Sequence, residues 1–139
     1  MNEAPNDEFK VFTSYFGNVK NILAKDPSAV LVSIAGKTPI WFNGHKLKKL
    51  APHYSWWKEW NDKFSYNHNC TESIAWYRHK YISTVLHGIV PEELMKELEE
   101  MSNGNNVYLL CYETPQTFCH RHIVSDWLNH AGVDCREFH

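Results

Sequence analysis

The 139 residues make one domain of ordinary size, long enough to bury roughly 68% of the surface that the unfolded chain would expose. A hydrophobic content of 43% supports a full core, and a formal charge of −2 argues against bulk attraction to nucleic acid or to an anionic membrane. No apolar run reaches the roughly 18 residues of a transmembrane helix, so no membrane partner is expected.

In chain order, the acidic, polar stretch from Met1 to Glu8 reads as a flexible N-terminus, opposite in character to a signal peptide. Residues 9–139 then read as a single α/β domain. Lys10 to Phe16 is rich in β-branched and aromatic residues and ends at Gly17, which predicts a first strand. Val19, Ile22 and Leu23 give a short helical face that stops before Asp26-Pro27. Ala29 to Ala35 is a continuous apolar run closed by Gly36, as expected of a strand buried on both faces. From about 37 to 69 the periodicity is broken by Pro39, Gly44 and Pro52, so this insert reads as irregular, with a short helix near Lys46 to Leu50.

Asn69 is placed to cap a helix from Cys70 to about Leu86, with Ile74, Tyr77, Tyr81 and Val85 on one face. Pro91-Glu92-Glu93 opens another helix, with proline at N1 and acids in the first turn; Leu94, Leu98 and Met101 form its stripe, and Asn103-Gly104 ends it. Val107 to Cys111 reads as a strand. A last helix from about Phe118 to Ala131 turns Ile123, Val124, Trp127, Leu128 and Ala131 inward, and Val133 to Phe138 reads as a terminal strand. The order β-α-β-(irregular)-α-α-β-α-β predicts a Rossmann-like, mostly parallel sheet with helices on both faces.

The corner between the Val107 strand and the last helix holds two polar clusters, Cys111-Tyr112-Glu113 and Cys119-His120-Arg121-His122. In an open α/β sheet, ligands bind where a strand leads into a helix N-terminus, because that end offers N–H groups and a positive dipole. Arg121 would present a planar fork to a carboxylate or phosphate. Its structural alternative is an ion pair with Glu113 or Asp126. Cys119 is a candidate nucleophile, its thiol made acidic by the helix end, His120 and Arg121, with Cys111 close by; the plain alternative treats both cysteines as small buried apolar residues. Thr13, Ser14 and Tyr15 end the first strand and Ser33 lies on the second, so their hydroxyls converge with Cys111 to meet a polar ligand, although ordinary turn chemistry explains them equally.

Four cysteines, at 70, 111, 119 and 135, show no Cys-x-x-Cys spacing and suggest free thiols in a reducing cytoplasm, not a disulfide scaffold. Zinc would accept Cys111, Cys119, His120 and His122. Their spacing matches no standard zinc pattern, however, and adjacent Cys and His residues on a helix point apart, so no metal or other cofactor is expected. Within the insert, Trp41, Phe42, Tyr54, Trp56, Trp57 and Trp60 interleave with Lys46, Lys48, Lys49, Lys58 and Lys63. Aromatics that stack on bases and lysines that meet phosphates would suit a single-stranded nucleic acid, or the insert would form a lid over the strand-end pocket. The commoner pattern packs half of those tryptophans in the core. His53, His68 and His79 read as solvated surface residues.

Leu109 to Glu113 followed by Phe118 to Leu128 resembles the signature of the "domain of unknown function 488" family. Thr13 to Gly17 is similar to that family's first-strand ending, and Leu50-Ala-Pro52 and the Tyr77–Leu86 helix ahead of Pro91 are similar to its middle; the Trp-rich stretch at 54–60 departs from it. The resemblance implies an α/β fold and a site at Cys111, Tyr112, Glu113, Cys119, His120 and Arg121. It implies no particular activity.

Together these features predict a domain that binds an anionic, nucleotide-like small molecule at the strand-end pocket. Arg121 would hold the anion, Thr13, Ser14, Tyr15, Cys111 and Tyr112 would shape the site, and Cys119, His120 and Glu113 are the candidates for chemistry. Two readings stand beside it: a nucleic-acid-associated module built on the insert, and a non-catalytic protein that sequesters its ligand.

Overall fold

Apolar runs build the sheet in the computed structural model, which describes residues 9–112 and 118–139. The first strand, β1, spans Val11–Tyr15, β2 spans Val30–Ser33, β3 is the two-residue His45–Lys46, β4 spans Val107–Cys111 and β5 spans Cys135–Glu137. They lie in the order β3-β2-β4-β1-β5, every neighbouring pair parallel. β4 is buried at all five positions, which its unbroken Val-Tyr-Leu-Leu-Cys run permits because it has strands on both edges and packed side chains on both faces. The register sets Tyr15 beside Cys111 and Ser33 beside Leu110, so the carboxyl ends of β1, β2 and β4 share one edge.

Helices cover both faces unequally. The short α1 (Val19–Lys25) packs Ile22 against Phe16, Phe42, Tyr108 and Leu110 on one side. The opposite face carries α2 (Tyr54–Lys63), α3 (Thr71–Thr84), α4 (Pro91–Ser102) and α5 (His120–His130), which place Trp60, Tyr81, Leu98 and Ile123 in one cluster with Val11, Val32 and Leu109. Each such aliphatic side chain, fully withdrawn from water, contributes on the order of 1.5–3 kcal/mol before entropic costs. The α/β architecture with a parallel sheet is the one the sequence predicts.

Local chemistry accounts for most of the element ends. Pro91 opens α4 with Glu92 and Glu93 in its first turn, and the helix closes through Asn103 at φ 55° and Gly104 at φ 85°, whose N–H reaches back to Glu99 O at 3.0 Å. Gly44 precedes β3 because a side chain would not fit: a Cβ there would stand 2.4 Å from the Leu31 carbonyl oxygen.

The structure departs from expectation in three places. The insert contains a ten-residue helix, α2, in addition to a 3-10 turn at Lys48–Leu50. Its buried Trp56 and Trp60 stand four residues apart, a helical spacing obscured by the nearby proline. Asn69 does not cap α3; its side-chain oxygen instead accepts the Phe118 N–H at 2.9 Å, and Cys70 holds the cap position. Ala131 follows the end of α5 and is exposed, whereas Trp127 packs partly buried against the core. Residues 1–8, read as a flexible N-terminus, lie outside the described residues.

Candidate functional site: an aromatic cleft at the strand ends

A cleft of about 790 Å³ opens where β2 and β4 end. Ala35 and Gly36 follow β2, Cys111 and Tyr112 end β4, and Cys119 and His120 begin α5; these form its floor. This is the position at which parallel α/β sheets take ligands, and α5 points its positive end there without a side-chain cap or an acid in its first turn.

The facing wall comes from the insert. Tyr54, Trp57 and Trp60 line it from α2, with Tyr77 from α3 and Phe118 beyond them. The rings brace one another: Trp60 meets Tyr77 at 4.8 Å between centroids and Tyr77 meets Phe118 at 5.0 Å, both edge to face. Trp60 donates its indole N–H to Ser73 Oγ at 2.9 Å, which fixes its plane, and His68 stacks on it at 4.4 Å. Trp57 is less buried and stacks with Tyr54 at 6.2 Å. Lys37, Lys48 and His53, all exposed, stand on the rim.

At the floor, Cys111 and Cys119 are joined by a disulfide, so the expectation of four free thiols holds only for Cys70 and Cys135. Cys119 cannot act as a thiolate nucleophile until that bond is reduced. It is also not helical: as the residue before α5 it has φ −153° and ψ 150°, so its sulfur turns toward the next side chain instead of away from it. His120 Nδ1 consequently lies 3.8 Å from Cys119 Sγ. The other ring nitrogen, Nε2, lies 2.7 Å from the Ile34 carbonyl oxygen, which can only accept, so Nε2 carries the proton and Nδ1 presents its lone pair to the sulfurs. Burial, opposed by the Ile34 bond, pushes the imidazole pKa down to about 4 and keeps it neutral at pH 7.

Arg121 lies in an ion pair, the structural alternative given above, here with Glu137. It has no exposed surface. Its Nε and Nη2 form a fork on the Glu137 carboxylate at 3.0–3.2 Å, Nη1 donates to Cys111 Sγ at 3.1 Å, and the guanidinium lies 5.9 Å from the Tyr15 ring centre. Glu137, not Asp126, is thus its carboxylate among the described residues; Asp126 faces Arg78. Thr13 and Ser14 are likewise fully buried, donating to Glu137 and to the Phe138 carbonyl at 2.6 and 2.7 Å. The C-terminal segment beside β1 takes up these groups, and neither they nor Arg121 line the cleft. Cys111, Tyr112, Cys119 and His120 do line it. Glu113 lies outside the described residues.

The insert lines the strand-end pocket, the place that the lid reading gave it, and the exposed His53 and half-buried His68 line the cleft together with Trp57 and Asn61. Of the insert's lysines, Lys49 pairs with Glu97, Lys58 with Asp62, and Lys63 lies over the Phe64 and Trp76 rings at 5.8 Å. Among the described residues no helix is long and apolar enough to cross a membrane.

No curated protein and no solved structure matches the chain. A family model described as "Active DUF488-N3 subclade" matches residues 36–132, leaving β1, α1, β2 and β5 outside and taking in the aromatic insert, the cleft wall and the Cys111-to-Arg121 corner. The chain belongs to the DUF488 family.

Proposed function

We propose that the cleft binds an anionic, nucleotide-like small molecule, its planar base against the α2–α3 aromatic wall and its charged group toward Lys37, Lys48 and the start of α5. The observation that carries this reading is the combination in one 790 Å³ cleft of an aromatic wall, a cationic rim and a helix N-terminus at the strand ends. A base stacked on an aromatic side chain gains about 1–3 kcal/mol, and a hydrogen bond to a charged group about 1.5–3 kcal/mol. The anion-binding role expected of Arg121 passes in this reading to the exposed lysines, with the buried guanidinium supporting the floor from behind. Cys119 and His120 meet the ligand at the floor and are the groups for chemistry on it, once Cys119 is reduced. Turnover of bound ligand separates an enzyme from a protein that sequesters it.

Titration with adenosine and guanosine monophosphates and their parent nucleosides, followed by tryptophan fluorescence, tests the reading. Saturable quenching is expected, with nucleotides bound more tightly than nucleosides. Trp57→Ala and Lys48→Glu should each weaken nucleotide binding by roughly tenfold or more, the equivalent of about 1.4 kcal/mol. Absence of saturable binding, or wild-type affinity in both variants, would contradict it.

A further inference from the structure

The Cys111–Cys119–His120 cluster carries an inference that stands whether or not the cleft takes a nucleotide. The donor atoms of these three buried residues all lie within 4.8 Å of one another. We propose that, once reduced, Cys111 and Cys119 join His120 in a three-ligand site for a thiophilic divalent cation of the zinc class, its fourth position open to the cleft, and that the disulfide is the oxidised, metal-free form of this site.

Three features support the assignment. Zinc bonds of about 2.3 Å to sulfur and 2.0–2.1 Å to nitrogen, at tetrahedral angles, place the two donors roughly 3.5 Å apart. The observed separation of Cys119 Sγ from His120 Nδ1 is 3.8 Å. Secondly, the imidazole is held as a metal ligand is held, with one nitrogen tied to a backbone carbonyl (Nε2 to Ile34 O, 2.7 Å) and the other facing the sulfurs. Thirdly, Arg121 Nη1 already donates to Cys111 Sγ at 3.1 Å, an orienting bond that a coordinating thiolate would keep. Two protein sulfurs, one nitrogen and an open position resemble the ligand count of catalytic zinc sites more than that of closed structural ones.

The chemistry balances in two steps. A dithiol reductant transfers two electrons and two protons to the disulfide, breaking the S–S bond, giving two protein thiols and leaving the reductant as its own disulfide. The cation then displaces both thiol protons, forming two metal–sulfur bonds, and takes the Nδ1 lone pair without a further proton. A dication bound by two thiolates is neutral overall, which suits a buried site.

Cobalt(II), a spectroscopic stand-in for zinc, tests this on the full chain. The protein is reduced with a dithiol, exchanged anaerobically into reductant-free buffer and titrated. One cobalt per chain is expected to bind, with a sulfur-to-cobalt charge-transfer band and intense tetrahedral ligand-field bands, both abolished by zinc. The disulfide-bonded protein, which keeps the wild-type sequence and fold, should show neither. Cys111→Ser, which retains the other three cysteines, should lose at least half of the charge-transfer intensity, and His120→Ala should shift or lose the ligand-field bands. Failure of the reduced protein to develop these bands would overturn the proposal, as would bands that persist unchanged in the oxidised protein or in Cys111→Ser.

Discussion

Arg121 is a charged side chain enclosed in the fold and held by another charge. Its guanidinium is wholly enclosed, and the Glu137 carboxylate that it faces also accepts from Thr13. Breaking a buried ion pair by removing one member leaves the other charge uncompensated, at a cost of about 3–5 kcal/mol. Glu137→Gln should therefore lower the thermal midpoint markedly. Arg121→Lys, which replaces the fork by a single point donor, should also lower it while leaving nucleotide affinity within about twofold. Calorimetric unfolding beside a binding titration decides this; stable Arg121→Lys protein that no longer binds nucleotide would return the residue to the ligand. His120 gives a second test at this scale. Its folded pKa of about 4 lies below the ordinary 6.5, so its contribution to stability is complete above pH 6.5. That contribution is lost as the pH falls toward 4, where the unfolded chain takes up the proton and the folded chain resists it. The loss is at most about 3 kcal/mol. In the disulfide-bonded protein, kept with a chelator, denaturant unfolding across this window should show a slope that His120→Gln reduces; identical slopes would mean that the imidazole is protonated as easily in the folded state as outside it.

At the scale of elements, legibility followed the range of the interactions involved. β4 and α5 were readable because an apolar run and a helical stripe are local patterns, and the corner between them brings Cys111, Cys119 and His120 together across a short stretch of chain. The pairing of Arg121 with Glu137 was not readable. It depends on β5 lying beside β1, which sets Glu137 opposite Thr13, a consequence of strand order that no local pattern contains. The partners of Thr13 and Ser14 were hidden for the same reason: they lie toward the end of a strand at the edge where the cleft opens, and their hydroxyls are taken up by Glu137 and Phe138 of the terminal segment. The α2 helix carried a usable signal in its tryptophan spacing, yet its role as a cleft wall comes from packing on α3, seen in the Trp56–Tyr77 and Trp60–Tyr77 ring contacts. The expectation that neighbouring Cys and His side chains diverge assumed helical backbone at Cys119, and the extended cap residue removes that premise.

Across the whole molecule, a parallel sheet with a large core on one face and a small one on the other leaves a single edge at which strand ends, a helix N-terminus and an aromatic insert meet. The fold class followed from element order alone. Photolabelling with an azido-purine nucleotide followed by peptide mapping shows whether the cleft takes the proposed ligand. Label is expected on residues 53–61 and on His68 or Tyr77, which line the aromatic wall, and excess unmodified nucleotide should displace it. Label concentrated instead on the separate groove between Lys63 and Lys80, or scattered over the surface and indifferent to competitor, would contradict the assignment.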